Sequence, residues 1–214
     1  MSLHEEIVKV SSKYSGQTAV IDSAAGKNYT YGKLVTAAFI FADIINKKDD
    51  EFIGLMMPMS AGAFISLLAV LFTGKVPVMI NYSTGAEKNI AYARKKCGFK
   101  TLITSKKLCE KLGVAQDSGM MFAEDIAGSI TLLQKIKALI KSFSPLNFIA
   151  RKSPEEIAVL LFTTGSEKEP KAVMLTHDNI MSNIESLTQL FYFGTEDIFT
   201  GVLPLFHIYG LTTS

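Results

Sequence analysis

The sequence predicts an α/β fold with mostly parallel βαβ layers. Three observations point there. Short apolar runs alternate with longer stretches of helical periodicity. The links between them are short. A strand–helix–strand unit between positions 51 and 81 has no room for a hairpin, so its two strands run parallel and their sheet is covered on both faces. The chain has 214 residues, 48% hydrophobic and 20% charged, enough for one sizeable core or two small ones.

The elements follow in order. "QTAVID" (17–22) reads as a short strand, and "GKNYTYGKL" supplies a hairpin-like turn and a helix start. From Tyr31 to Ile45, Leu34, Ala38, Phe41 and Ile45 recur at helical spacing. "EFIGLMMP" is a buried strand ended by Pro58. A buried helix opens on Ser60 as N-cap and closes at Gly74, and "KVPVMIN" is a strand again. "AEKNIAYARKKCG" is an amphipathic helix closed by Gly98, and "FKTLITS" is the next strand. After Asp125, "SITLLQKIKALIKSFSPLNFIARK" holds five basic residues and no acidic one. It puts Leu132, Leu133, Ile136, Leu139, Ile140 and Phe143 on one helical face, opposite Lys135, Lys137 and Lys141. The βα rhythm resumes with strands "IAVLLFTT" and "AVMLT". A helix follows from about His177 to Phe191, with Thr176 as N-cap and Ile180, Ile184, Leu187 and Phe191 as its buried stripe. "DIFTGVLP" (197–204) reads as a last strand. The expected organisation is a βαβ subdomain over 1–125, a basic amphipathic helix and linker over 126–154, and a final segment over 155–214.

Several function classes fall away. A formal net charge of +2 gives no footprint for nucleic acid. Cys97 and Cys109 form no close-spaced pair and read as reduced thiols in a cytoplasmic protein. His4, His177 and His207 are too scattered for a zinc motif, and no metal ligands are assigned. The N-terminus lacks the basic-then-apolar order of a signal peptide. The uncharged stretch 52–74 is long enough to span a bilayer. Gly54, Pro58, Gly62 and Ser66 interrupt it, and it divides better into a strand, a turn and a helix.

The chemistry concentrates in "LLFTTGSEKEPKAVMLTH" (160–177). Thr163, Thr164, Gly165 and Ser166 offer hydroxyls and backbone N–H groups without bulk, and glycine permits a tight turn. Successive N–H groups can form an anion-binding nest. Lys171 adds a mobile cation suited to a polyphosphate, on backbone stiffened by Pro170. The common phosphate loop, Gly-x-x-x-x-Gly-Lys-Ser/Thr, is not present: no glycine precedes Lys171 and no hydroxyl follows it. A plain strand-to-strand turn with solvated charges is the competing reading.

"FTTGSEKEPKAVMLTHDN" resembles the signature of the AMP-forming acyl-activating (adenylate-forming) enzymes. That signature is aromatic-Thr-Ser-Gly-Ser/Thr-Thr-Gly-x-Pro-Lys-Gly-Val, then Thr/Ser-His and Asn. Phe162, Thr163, Gly165, Ser166, Pro170, Lys171, Val173, Thr176, His177 and Asn179 match it. "LPLFHIYGLT" (203–212) resembles a second motif of the family, and Tyr29–Tyr31 and the 54–78 unit resemble its N-terminal layout. The resemblance covers nearly the whole chain. Thr164 stands where serine is usual, Glu167 replaces threonine, and Lys168 and Ala172 replace two glycines. Ser-Glu after the glycine is similar to the acyl-ACP synthetase half of 2-acylglycerophosphoethanolamine acyltransferases. If the loop needs a positive φ at Lys168, its side chain costs about 1 kcal/mol. Alternatively, Lys168 adds a further cation.

The resemblance implies part of the large N-terminal domain of an adenylate-forming enzyme, a ligase of fatty or other carboxylic acids. Such an enzyme uses ATP and Mg2+ and passes the acyl group to coenzyme A or to the phosphopantetheine of acyl carrier protein. It implies Thr163, Thr164, Gly165, Ser166 and Lys171 as phosphate contacts. It implies His207 as a catalytic residue near the carboxylate, in a pocket shaped with Phe206 and Tyr209. His177 reads better as a helix-start residue than as a catalyst. The family's adenine, ribose and magnesium segments follow the second motif, beyond residue 214, so this polypeptide alone is expected not to complete the reaction. The alternative is a non-catalytic lipid- or partner-binding scaffold with a degenerate AMP-binding fold. The basic helix has three readings: a surface helix packed on the domain, a peripheral contact with the inner face of the cell membrane, or a dock for an acidic carrier protein.

Overall fold

The computed structural model describes residues 1–163 and 170–213. Among the described residues the strands are β1 (Thr18–Asp22), β2 (Lys27–Thr30), β3 (Phe52–Met56), β4 (Val76–Met79), β5 (Leu102–Thr104), β6 (Met120–Phe122), β7 (Ile157–Thr163) and β8 (Lys171–Thr176). β1 and β2 form a small antiparallel hairpin. The other six make one sheet in the order β6-β5-β3-β4-β7-β8. All its pairings are parallel except β7 with β8. The predicted α/β class and mostly parallel sheet are therefore what the chain adopts.

Side chains alternate across this sheet with period two and feed two cores. Ile53 and Leu55 of β3 and Val159 and Leu161 of β7 face one layer, which contains α2 (Tyr31–Ile45) and α3 (Ala61–Phe72). Met56 of β3, Val76 and Val78 of β4 and Leu160 of β7 face the other, which contains α4 (Ala86–Cys97) and α5 (Lys106–Leu112). Gly54 is required by that second layer. A Cβ there would stand 2.5 Å from a Phe99 ring carbon and 2.8 Å from a Leu102 methyl.

The stretch 52–74 is β3, a turn and α3, as its interruptions predicted. Ser60 caps α3 by accepting from the Ala63 amide, and Asp22 accepts from the Ala61 amide at 3.0 Å, tying the hairpin to that helix start. Among the described residues no helix is long and apolar enough to cross a membrane.

Four helices and one strand went unread in the sequence. α1 (Leu3–Lys13) begins the chain with a Ser2/Glu5 capping box. α5, β6 and α6 (Ala123–Gly128) are short, and α9 (Ile208–Thr213) is a six-residue helix inside the second motif. The predicted strand over 197–204 does not form. The outer strands of the sheet are β6 and β8, and this segment pairs with neither. Without a ladder its polar backbone turns locally: Val202 N–H donates to the Thr200 carbonyl, and Gly194 N–H to the Asp197 carboxylate. Alternating apolar residues describe a strand only when a neighbour takes up the hydrogen bonds.

α7 (Leu132–Phe143) forms as predicted, capped by Thr131 and Gln134. Its seating is the surprise. Buried Ala138 meets the domain, and Lys141 Nζ lies 2.5 Å from the Asp43 carboxylate of α2 and 5.9 Å from the Phe39 ring. The apolar stripe Leu132, Leu133, Ile136, Leu139, Ile140, Phe143 points outward.

Candidate functional site

Thr163 and Lys171 are the two ends of the β7–β8 hairpin, directly opposite each other in register. The Thr163 hydroxyl donates to the Lys171 carbonyl at 3.4 Å. Both side chains are exposed. Three of the predicted phosphate contacts, Thr164, Gly165 and Ser166, lie outside the described residues, as do Glu167, Lys168 and Glu169. Ala172 pairs with Phe162 in the ladder, and no described non-glycine residue has a positive φ. Alanine in place of glycine at 172 thus imposes no backbone strain.

The hairpin opens at the C-terminal edge of the parallel strands, where α/β sheets bind ligands. A small hollow of about 20 Å³ lies beneath it, lined by Ile80, Asn81, Asn89, Tyr92, Phe162, Thr163 and Pro170. Tyr92 of α4 holds its rim: the phenol donates to the Pro170 carbonyl at 2.8 Å, and its ring meets Phe162 edge-on. Lys96 Nζ lies 5.5 Å from the Tyr92 ring. Among the described residues, no carboxylate lines the hollow. The Thr163 hydroxyl at the mouth, with Lys171 opposite it in register and Lys96 on the nearby helix, suits an anionic ligand.

The second motif reaches the same sheet edge through β4. Phe206 is buried and meets the Tyr82 ring edge-on at 4.9 Å, just past Ile80 and Asn81 of the hollow. Burial pushes the Tyr82 phenol above its ordinary pKa. Leu205 and Phe206 join the core that contains Met57, and Gly201 lies against Met59, so this segment covers the end of β3. His207 is exposed, stacked obliquely on Phe206 at 4.9 Å, and its carbonyl accepts from Leu211 N–H in the first turn of α9. Tyr209 points to the exterior and is exposed. Of the proposed pocket residues, then, Phe206 is packed while His207 and Tyr209 stand on the surface.

Gly210 explains the motif's glycine. It is buried, and a Cβ there would collide with the backbone carbonyls of Pro204 and Leu203, the latter at 2.8 Å. Only glycine lets α9 fold back on the Leu203–Pro204 turn.

The second half of the first motif is architectural. Thr176 accepts from the Asn179 amide, and the Asn179 side chain accepts from the Thr176 amide, a reciprocal cap for α8 (His177–Leu190). His177 is buried, and its Nδ1 accepts from Leu3 N–H at 3.3 Å. Its ring meets that of His4 edge-on at 5.2 Å, and His4 Nε2 donates to the Ala150 carbonyl at 2.7 Å. Burial, then the neighbouring His4, lowers the His177 pKa to about 4. Burial likewise lowers that of His4. His177 opens α8, as the helix-start reading has it, and its pairing with His4 ties the N-terminal helix to α8. Tyr82, Tyr92 and Gly210 were not singled out in the sequence. Only Gly210 had a signal there, as the one glycine in an otherwise bulky motif. Among the described residues, no three His, Cys, Asp or Glu side chains gather as a metal site.

Comparison with known proteins gives a consistent result. Residues 8–214 match the family model described as AMP-binding enzyme. The chain is 28% identical over 247 aligned residues to a long-chain-fatty-acid–CoA ligase of Bacillus subtilis, covering 99% of this chain and 43% of that protein. It is 25% identical to 4-coumarate–CoA ligase 1 of Arabidopsis thaliana, over 100% of this chain and 40% of that protein. It therefore spans well under half the length of these relatives. Among solved structures it superposes on VinN with a TM-score of 0.80 at 18% identity, over 99% of this chain and 55% of that one. It superposes on the AMPPNP-bound form of the nonribosomal peptide synthetase FmoA3 with a TM-score of 0.78 at 15% identity, over 99% of this chain and 21% of that one. At such identities these superpositions show a shared fold.

Proposed function

The chain belongs to the AMP-binding enzyme family, and from that premise we propose that it carries the phosphate-binding and acid-proximal part of an ATP-dependent carboxylic acid–thiol ligase. The supporting observation is the convergence of both motifs on one sheet edge. Thr163 and Pro170 share a hollow with the end of β4, and Phe206 packs on Tyr82 just beyond it.

In this reading ATP is a substrate whose outer phosphates lie at the hairpin mouth. The Thr163 hydroxyl, the Lys171 ammonium and the loop from Thr164 to Ser166 contact them. A carboxylate oxygen attacks the α-phosphorus, the bond to the bridging oxygen breaks, and pyrophosphate leaves. A thiol, of coenzyme A or of a carrier protein's phosphopantetheine, then attacks the acyl carbon, loses its proton and displaces AMP. A carboxylate is a poor electrophile, and the mixed anhydride gives it a good leaving group. The residues contribute by positioning and by offsetting phosphate charge. Mg2+, when bound with the nucleotide, would offset the remaining charge. His207 and Tyr209, on the exposed side of Phe206, face the acid. Fatty acids are the first substrate class to try, given the Bacillus subtilis relative.

Lys168 and Ala172, where the family has glycines, favour the alternative, a non-catalytic scaffold, and the retained Lys171 and His207 oppose it. Ala172 sits unstrained in β8, which removes one of those supports. Acid-dependent exchange of labelled pyrophosphate into ATP, across a panel of fatty and aromatic acids, separates the two. In a polypeptide extended to the length of the relatives, exchange with at least one acid is expected. Fatty-acid binding together with no exchange, in a polypeptide extended to the length of the relatives, would favour the scaffold.

A further inference from the structure

α7 is amphipathic in the opposite sense to a helix that completes a core. Its small and polar side, Gln134, Ala138 and Lys141, meets α2, and the Lys141–Asp43 ion pair fixes that seating. Leu132 is 72% exposed and Phe143 80%, with Leu133, Ile136, Leu139 and Ile140 exposed between them. Leu146 and Phe148 extend the patch beyond the helix, and buried Pro145 and Ile149 anchor that extension. At about 100° per residue, exposed Lys135 and Lys137 fall at the two margins of the stripe. From position 126 to 152 the chain has five basic residues and no acidic one.

We propose that α7 lies flat in the surface of an anionic lipid bilayer, with its apolar stripe among the acyl chains and Lys135 and Lys137 at the headgroups. An apolar strip bordered by lysines matches a negatively charged interface on both counts. The stems of the lysines lie along the apolar zone while their ammonium groups reach the phosphates. An acidic protein would be met by the lysines but would not by itself bury so wide a set of Leu, Ile and Phe side chains. The seating through α2 means the helix needs no rearrangement to insert, so the domain docks as a rigid body. This inference rests on α7 alone and does not depend on the ligase reading.

The test is flotation of the 214-residue chain with phosphatidylcholine vesicles, with and without phosphatidylglycerol. Binding is expected only to the anionic vesicles. The pair Ile136→Ser with Ile140→Ser, and the pair Lys135→Glu with Lys137→Glu, should each weaken it at least about tenfold. All four positions are exposed, so circular dichroism should be unchanged. The control pair Ile198→Ser with Val202→Ser, on the other exposed apolar surface, should bind like the parent. The chain has no tryptophan, so Ile136→Trp supplies a single fluorophore whose emission should shift to the blue on anionic vesicles alone. Equal binding to both vesicle types overturns the proposal, as does retention by both α7 pairs or loss in the control pair. So does an α7-dependent dimer, or capture of an acidic carrier protein, without vesicle binding.

Discussion

The two ends of the large sheet are built differently. From β6 to β4 the strands are parallel, flanked by α3 and α2 on one face and α4 and α5 on the other; the side chains of β5, β3 and β4 are almost all buried and those of β6 half-buried. At the far end, β8 is antiparallel and largely exposed, and the segment after α8 runs over the surface without regular structure until α9. Both motifs belong to this second end. The closed half supplies rigidity and the open half presents backbone ends and polar side chains, a division common where loops bind ligands. Disruption in the closed half should therefore register as lost stability, and disruption in the open half as lost local order or lost binding.

The largest effect is expected in the closed half. Gly54→Val places two methyl groups where the Phe99 ring and Leu102 already stand. Urea unfolding should show a loss of about 3 kcal/mol or more, since the backbone of a central strand cannot move aside. A loss within experimental error would mean the second layer is looser than described.

Next comes the joint between the halves, the His4–His177 pair. Both pKa values are depressed in the fold, that of His177 from 6.5 to about 4. Between those values the unfolded chain binds protons that the folded chain does not. The pair's contribution is fully present above pH 6.5 and is lost as the pH falls through that window. The urea midpoint should drop on acidification, with a loss of about 2 kcal/mol from His177 once its shift is discounted for solvent screening. In His4→Gln the slope should be shallower. A flat profile in the parent would show that the histidines are not held neutral.

The smallest effect on stability is expected in the open half. Gly210→Ala should cost about 1 kcal/mol globally, because α9 can swing off the Leu203–Pro204 turn. Hydrogen exchange should instead speed up at Leu211 N–H, which bonds to the His207 carbonyl. Unchanged protection there would remove the packing role assigned to Gly210.

Sequence and structure diverge along the same line. The parallel strands and α3 were readable because an apolar run between a cap and a breaker has few alternatives, as with Ser60 and Gly74 around α3. Thr176 marked its helix for the same reason. The segment 197–204 has the alternation of a strand, but pairing is a property of the sheet, and no described strand pairs with it. α7 was readable as a helix, yet periodicity says only that two faces differ. The face that turns inward carries buried Ala138 and Lys141, and Lys141 pairs with Asp43, ninety-eight positions away. The meeting of His4 with His177 is likewise invisible locally. Of the candidate site, the hairpin positions of Thr163 and Lys171 were legible from the two flanking apolar runs. The contributions of Tyr82 and Tyr92 come from other strands and helices and left no pattern near the motifs.

The most direct test of the account is titration of ATP into the parent chain and into Lys171→Met, followed by calorimetry at low and moderate salt. The account predicts that the parent binds ATP more weakly as salt rises. It predicts that the variant binds at least about tenfold more weakly with an unchanged urea midpoint, as expected for loss of a charged hydrogen bond to phosphate at an exposed strand end. Equal affinity in the two proteins would contradict the placement of ATP's outer phosphates at the β7–β8 hairpin.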